Sequence, residues 1–216
     1  PGAGGWKTLP EMSTPRGYLA VAAKGRGDGA LAIGGSDGRN TLSSVEEYTT
    51  STNEWRVVAS MTKPRIWLAA ATVGERTYAV GGFDGAEYLD LVEAYDPNAD
   101  QWWGVKPLPA PRRDHGVAGI EHRRCVVAAG GYDGQRYLGD VDVFDPRANR
   151  WTSAAPLRTP RQLHGIASAG DEVYVVGGFD GKEGLRSVEV YDMRADRWKE
   201  LAPMSGVRFG VGVAAF

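Results

Sequence analysis

The chain is punctuated by short apolar runs that end on glycine. From Leu68, "LAAATV" is a run of small apolar residues, "GER" a turn, and "TYAVGG" a second run closing on a glycine pair. "YLDLVEAYD" then alternates apolar and polar positions, the period-2 pattern of a half-buried strand. "DPNAD" reads as a turn, with Pro following Asp. "QWWGV" is a fourth strand, ended by "PLPAP". No segment sustains a 3.6-residue period, so the pattern predicts an all-β protein with little helix.

The same pattern returns. Gly-Gly occurs at Gly34-Gly35, Gly81-Gly82, Gly130-Gly131 and Gly177-Gly178, with steps of 47, 49 and 47 residues. Thirteen residues after each second glycine stand Tyr48, Tyr95, Phe144 and Tyr191, and seven further on Trp55, Trp102, Trp151 and Trp198. Ten residues beyond each Trp comes Arg65, Arg112, Arg161 or Arg208, and Trp6 and Arg16 keep that spacing. Four short strands in a unit of about 50 residues is the signature of a propeller blade, stacked radially because one small sheet cannot bury both faces alone.

These residues carry a family resemblance. The apolar run into Gly-Gly, the spaced Tyr and Trp, and the "PR" before the next inner strand resemble a kelch-repeat propeller over essentially the whole chain. Phrases such as "SVEVYDMRADRWKELAPM" are similar to the kelch-like ubiquitin-ligase adaptors, in which BTB and BACK domains precede the propeller. The resemblance implies four-stranded antiparallel blades, with units at about 16–58, 65–105, 112–154 and 161–201. It places the strand ending in Gly-Gly second from the axis, and the Tyr and Trp on the third and fourth strands, packing between blades. The pattern departs at Tyr48-Thr49-Thr50, at Ser36 where other units have an aromatic, and at Val207-Arg208 in place of Pro-Arg.

An outer strand at 5–9 and an inner strand at 208–216 are expected as parts of an incomplete closing blade. Alone they would sit about three strand spacings apart and could not pair. The expectation is a piece of a longer, six-bladed ring whose exposed blade edges invite pairing with another chain.

"GGFDG" alone could be a phosphate cradle. Four copies around a ring, with no helix following, do not focus donors on one anion. The glycines are expected to be scaffold, and Asp-Gly a turn. The acids Glu46, Glu93, Asp142 and Glu189 and the arginines Arg16, Arg65, Arg112, Arg161 and Arg208 are equally periodic. Buried charges must pair, so structural contacts between blades are one reading. A positive rim that takes acidic groups of a partner is the other.

Positions that vary between units are better candidates for recognition. They are Tyr18, Trp67, Asp114, Leu163 and Gly210 after the periodic arginines; Ser36, Phe83, Tyr132 and Phe179 after Gly-Gly; and Thr41, Tyr88, Tyr137 and Leu185 or its neighbour beyond the turn. By the resemblance these loops open on one face. Aromatic and Arg enrichment is the composition of protein-binding hot spots. The expected partner-binding set is Arg16, Tyr18, Ser36, Arg65, Trp67, Phe83, Tyr88, Arg112, Arg113, Tyr132, Tyr137, Arg161, Phe179 and Arg208. The partner would be a protein or short peptide segment, acidic where the arginines meet it.

Composition narrows the alternatives. A net charge of −2 over 216 residues offers no basic stripe for nucleic acid and no pull toward an anionic membrane. One cysteine, Cys125, excludes internal disulfides and a Cys-rich zinc site. No apolar run reaches the length of a spanning helix and the first residues lack a signal-peptide core, so a cytosolic or nuclear location is the default. His115 and His164 are equivalent residues of adjacent units and could converge on a metal, yet their counterparts Leu19, Leu68 and Val211 are apolar. The Tyr–Cys crosslink of copper-radical kelch oxidases would need a better placed cysteine than Cys125. Neither a Glu-Asp-His iron motif nor a local hydrolase motif is found. No cofactor is expected. The expected function is non-enzymatic recognition, by resemblance the substrate-binding domain of a cullin-RING ligase adaptor. The alternatives are an actin-binding or other scaffold kelch protein, a metal-dependent kelch enzyme, and an engineered repeat protein.

Overall fold

The computed structural model describes residues 5, 7–25 and 28–215. Four antiparallel sheets of four strands succeed one another along the chain. The first holds β1 (Ala20–Ala23), β2 (Ala30–Ile33), β3 (Val45–Thr49) and β4 (Glu54–Val58). The second holds β5 (Ala69–Val73), β6 (Arg76–Val80), β7 (Val92–Asp96) and β8 (Gln101–Gly104). The third holds β9 (Gly116–Ile120), β10 (Cys125–Ala129), β11 (Val141–Asp145) and β12 (Arg150–Ala154). The fourth holds β13 (Gly165–Ala169), β14 (Glu172–Val176), β15 (Val188–Asp192) and β16 (Arg197–Leu201). Each sheet is a meander in chain order, so the molecule is a β-propeller with four described blades. The first strands lie side by side, β1 against β5, β5 against β9 and β9 against β13, and line the axis.

Convergence at the axis explains the small residues there. A side chain at Gly116 would place its first carbon 2.8 Å from the Ile166 side chain of the next inner strand. Between blades lie three hydrophobic clusters. In the first, Leu31, Ile33 and Val45 of one blade meet Ala79, Tyr95 and Trp102 of the next. Tyr95 stacks on Trp102 at 5.0 Å, and Tyr48–Trp55, Phe144–Trp151 and Tyr191–Trp198 repeat the pair. The Trp102 indole N–H donates to the Ala59 carbonyl of the preceding blade, and Trp151 and Trp198 reach back alike to Lys106 and Ala155.

Gly81 leaves its strand at φ 59°, and a side chain there would lie 2.5 Å from the Arg112 carbonyl. The first glycine of every pair has the same backbone. These pairs are scaffold because the connection to the next blade crosses directly over them.

The two expected terminal strands differ from their reading. Residues 7–9 and 208–215 form no strand, because no described strand pairs with them in a hydrogen-bonded ladder. Trp6 and Phe216 fall outside the described residues. The 208–213 stretch still occupies an inner position: Gly178 N–H donates to the Arg208 carbonyl and Gly210 N–H to that of Leu163.

Candidate functional site

The expected binding face is built from two kinds of segment, the loop after each Gly-Gly and the connection leading to each inner strand. In the loop, the Asp84 carboxylate accepts the backbone N–H groups of Ala86 and Glu87, at 2.9 and 2.8 Å. Those donors, Glu87 foremost, hold the Asp84 carboxyl below its ordinary range. Asp37, Asp133 and Asp180 close their loops in the same way. The turn brings the residue after Gly-Gly onto both flanks: Phe83 bridges Ile66 and Tyr88, and Tyr132 bridges Arg113 and Tyr137. Phe179 bridges Gln162 and Gly184, so Gly184 rather than Leu185 holds the fourth position; Ser36 bridges Gly17 and Thr41.

The connections are joined to one another. Trp67 N–H donates to the Tyr18 carbonyl, Asp114 to Trp67, Leu163 to Asp114 and Gly210 to Leu163. This belt of backbone bonds steps from blade to blade around the channel mouth. All five of its residues are left-handed, with φ of 57° at Tyr18, 55° at Trp67, 52° at Asp114, 55° at Leu163 and 65° at Gly210. Bulky residues seldom adopt that region, and such strain concentrates at functional sites. The belt encloses a cavity of about 280 Å³ at the mouth. Glycine at 210 and Asp at 114 are the sequence signals that could have revealed it.

The arginines divide. Arg65, Arg112 and Arg161 are among the most deeply buried side chains, at 0, 1 and 0% exposure. Arg112 donates to Asp142 at 2.6 Å and Arg16 to Glu46 at 2.7 Å; Arg65 pairs with Glu93 and Arg161 with Glu189. The Nη1 donors go to backbone carbonyls, as from Arg65 to Gly81 and Leu91. Each acid also accepts a backbone or side-chain donor, such as Thr62 N–H on Glu93. The partner-binding expectation for Arg16, Arg65, Arg112 and Arg161 is therefore corrected. Each guanidinium is enclosed and ion-paired within its own blade, where a partner cannot reach it. Arg208 is exposed, and no described acid pairs with it.

Arg113 is different again. Its guanidinium lies 4.3 Å from the Trp67 ring centre and 5.6 Å from those of Tyr88 and Tyr132. It donates to Asp114 at 2.9 Å. Burial pushes the Asp114 carboxyl up to about 6, against the pull of Arg113.

Around this cation the expected aromatics form one continuous row. Tyr18 meets Trp67, Trp67 meets Phe83, and Phe83 meets Tyr88, at 5.6, 5.8 and 5.3 Å between ring centres. Tyr88 meets Tyr132, Tyr132 meets Tyr137, and Tyr137 meets Phe179, at 6.0, 5.1 and 5.9 Å. Phe209, absent from the sequence reading, ends the row 6.5 Å from Phe179. Its signal was its place one residue after a periodic arginine, where Arg113 also stands. Tyr18 and Phe209 are 65% and 59% exposed, and the rings between are half-buried. Ser36 is half-buried and lies outside the row.

His115 and His164 are both buried beneath the mouth. The ring of His115 rests against Gly81 and that of His164 against Gly130. Burial, with Arg112 and Arg161 nearby, lowers both imidazoles, His164 to about 3, so each is neutral at neutral pH. Among the described residues no third His, Cys, Asp or Glu completes a metal-holding group. Cys125 is buried in β10 and burial pushes its thiol up to about 11.

Residues 6–159 match the family model of the KLHDC2/KLHL20/DRC7 Kelch-repeats domain, and residues 160–205 match the Kelch motif. Among solved structures the fold is similar to that titled "Structure of YjhT", with a TM-score of 0.78 and 18% identity, over 91% of this chain and 68% of that one. Identity that low speaks for the fold alone. No curated protein sequence matches significantly. By its repeats, its four meander blades and the match over most of its length, the chain belongs to the kelch-repeat propellers of the KLHDC2/KLHL20/DRC7 type.

Proposed function

We propose that this propeller is a non-catalytic binding domain that takes a protein or peptide segment on its aromatic loop face. The row of eight rings from Tyr18 to Phe209, crossing all four blades, carries the reading. Rings of this kind provide large contact area at little entropic cost, the usual anchors of an interface. Arg113 adds a fixed cation, held in place by three rings and Asp114. Preference for an acidic segment rests on Arg113 and exposed Arg208, since the other periodic arginines are enclosed. The finer reading, that the bound segment is a substrate delivered to a cullin-RING ubiquitin ligase, rests on the resemblance to kelch-like adaptors.

Selection of displayed short peptides on the purified propeller tests the binding face. Enriched peptides should bind at least about tenfold more weakly to Trp67→Ala and to Arg113→Ala, the range of a single hot spot. Equal binding by both folded variants, or no enrichment, would sink the proposal. For the adaptor role, the full-length gene product should co-purify with a cullin; reproducible absence of one argues for another kelch role.

A further inference from the structure

At the opposite end of the molecule, where β5 turns into β6 and β9 into β10, a cleft of about 350 Å³ opens between the second and third blades. Arg76, Arg124 and Arg147 line it, from three separate segments, and all three are exposed. Arg76 is held over the Trp103 ring, 5.2 Å from its centre. Arg124 sits in a tight turn at φ 54°, its N–H bonded to the Glu121 carbonyl. Its guanidinium lies across Gly74 of the neighbouring blade, 3.0 Å from where a side chain would begin there. Tyr78 forms part of the wall, and Glu75, also lining, accepts from the Asn98 amide at 3.2 Å.

Other basic groups at this end have acids. His122, Arg123 and Arg194 converge on Asp171, and Lys24 and Arg56 share Glu47. No described carboxylate lies within ion-pair distance of Arg76, Arg124 or Arg147. Three cations against the one carboxylate of Glu75 leave the cleft net positive, and one dianion offsets that excess. A phosphate monoester fits best: it carries up to two charges and three acceptor oxygens, and guanidinium forks match those oxygens. A lone carboxylate would leave more of the charge uncompensated.

We propose that the cleft of Arg76, Arg124 and Arg147 is a binding site for a dianionic phosphate group, separate from the aromatic loop face. Because the two sites lie at opposite ends, either proposal stands or falls without the other.

The Trp103 indole N–H resonance is the natural reporter, since Arg76 stacks on that ring. Titration with inorganic phosphate, and separately with a phosphoserine peptide, should shift it saturably. A tighter fit for the peptide identifies a protein-borne phosphate, and a tighter fit for the free ion a small-molecule source. Arg124→Gln and Arg147→Gln should each weaken saturation by about tenfold, the worth of one charge-assisted contact. Arg39→Gln, on the loop face, should leave it unchanged. The proposal is overturned if neither probe saturates, if sodium chloride at equal ionic strength gives the same shift, or if the two cleft variants, folded by their spectra, titrate like the parent.

Discussion

At the scale of residues, the repeated charges and the repeated histidines answer to burial. The arginine of each blade satisfies carbonyls and neutralises a buried acid, so truncating it would leave that carboxylate in the interior without its counter-charge. His115 and His164 set the acid response. Unfolded imidazoles titrate near 6.5, but the native ones are held below that, so the unfolded chain binds more protons as pH falls. Stability should therefore decline from about pH 6.5 downward. Asp114 acts the other way: its native carboxyl protonates near 6 against 3.8 unfolded, which favours the native state as pH falls through 6. Two imidazoles outweigh one carboxyl. The urea midpoint should drop between about pH 7 and pH 5, and His115→Leu with His164→Leu should abolish or reverse that drop. Leucine already fills the equivalent positions at Leu19 and Leu68. A double variant with an unchanged pH slope would remove the imidazoles from the explanation.

At the scale of elements, the turn between third and fourth strands is also the stitch between blades. Asp100 has φ 47°, accepts the Tyr95 hydroxyl at 2.8 Å and accepts the N–H of Ala59 in the preceding blade at 2.9 Å. Asn53, Asn149 and Asp196 hold the same backbone conformation. Asx residues suit it because they tolerate left-handed geometry and offer an acceptor. The third blade tests the parts separately, since Phe144 has no hydroxyl and Asn149 keeps only the bond from Lys106 N–H. Asp100→Ala should cost about 2–3 kcal/mol, and Asn149→Ala about 1 kcal/mol less, by urea denaturation. Equal losses would mean that the Tyr95 hydroxyl contributes nothing. The Tyr and Trp repeat was legible from spacing, and the Asx residue five after each aromatic was just as periodic. It went unread because turn chemistry is usually local, whereas this side chain's partner lies about 40 residues away in the preceding blade.

At the scale of the molecule, blades stack in nearly one dimension, so each draws stability from its neighbours. The second and third are flanked on both sides. Val127 and Ala129 of β10 are fully buried, while their counterparts Tyr174 and Val176 in β14 are half-buried. Amide exchange should accordingly be slowest in β6 and β10 and faster in β14, as expected when local opening tracks buried apolar contact. Uniform protection across the blades would show instead that the molecule opens as one unit.

The sequence by itself determined the strands, their grouping into blades and the scaffold role of Gly-Gly, Tyr and Trp. Those features are set by alternation and by spacings that recur every blade, and a periodic chain displays them openly. It also marked the varying loop positions as a group. Only the tertiary structure decided which periodic arginines are enclosed, because burial depends on what the neighbouring strands and connections cover. It likewise joined Tyr18 to Phe209 through six other rings. Residues so far apart in sequence meet only when the blades are set side by side. The arginines of the far cleft came from the start of one strand and from two turns, with no shared spacing, and only the junction of two blades brings them together.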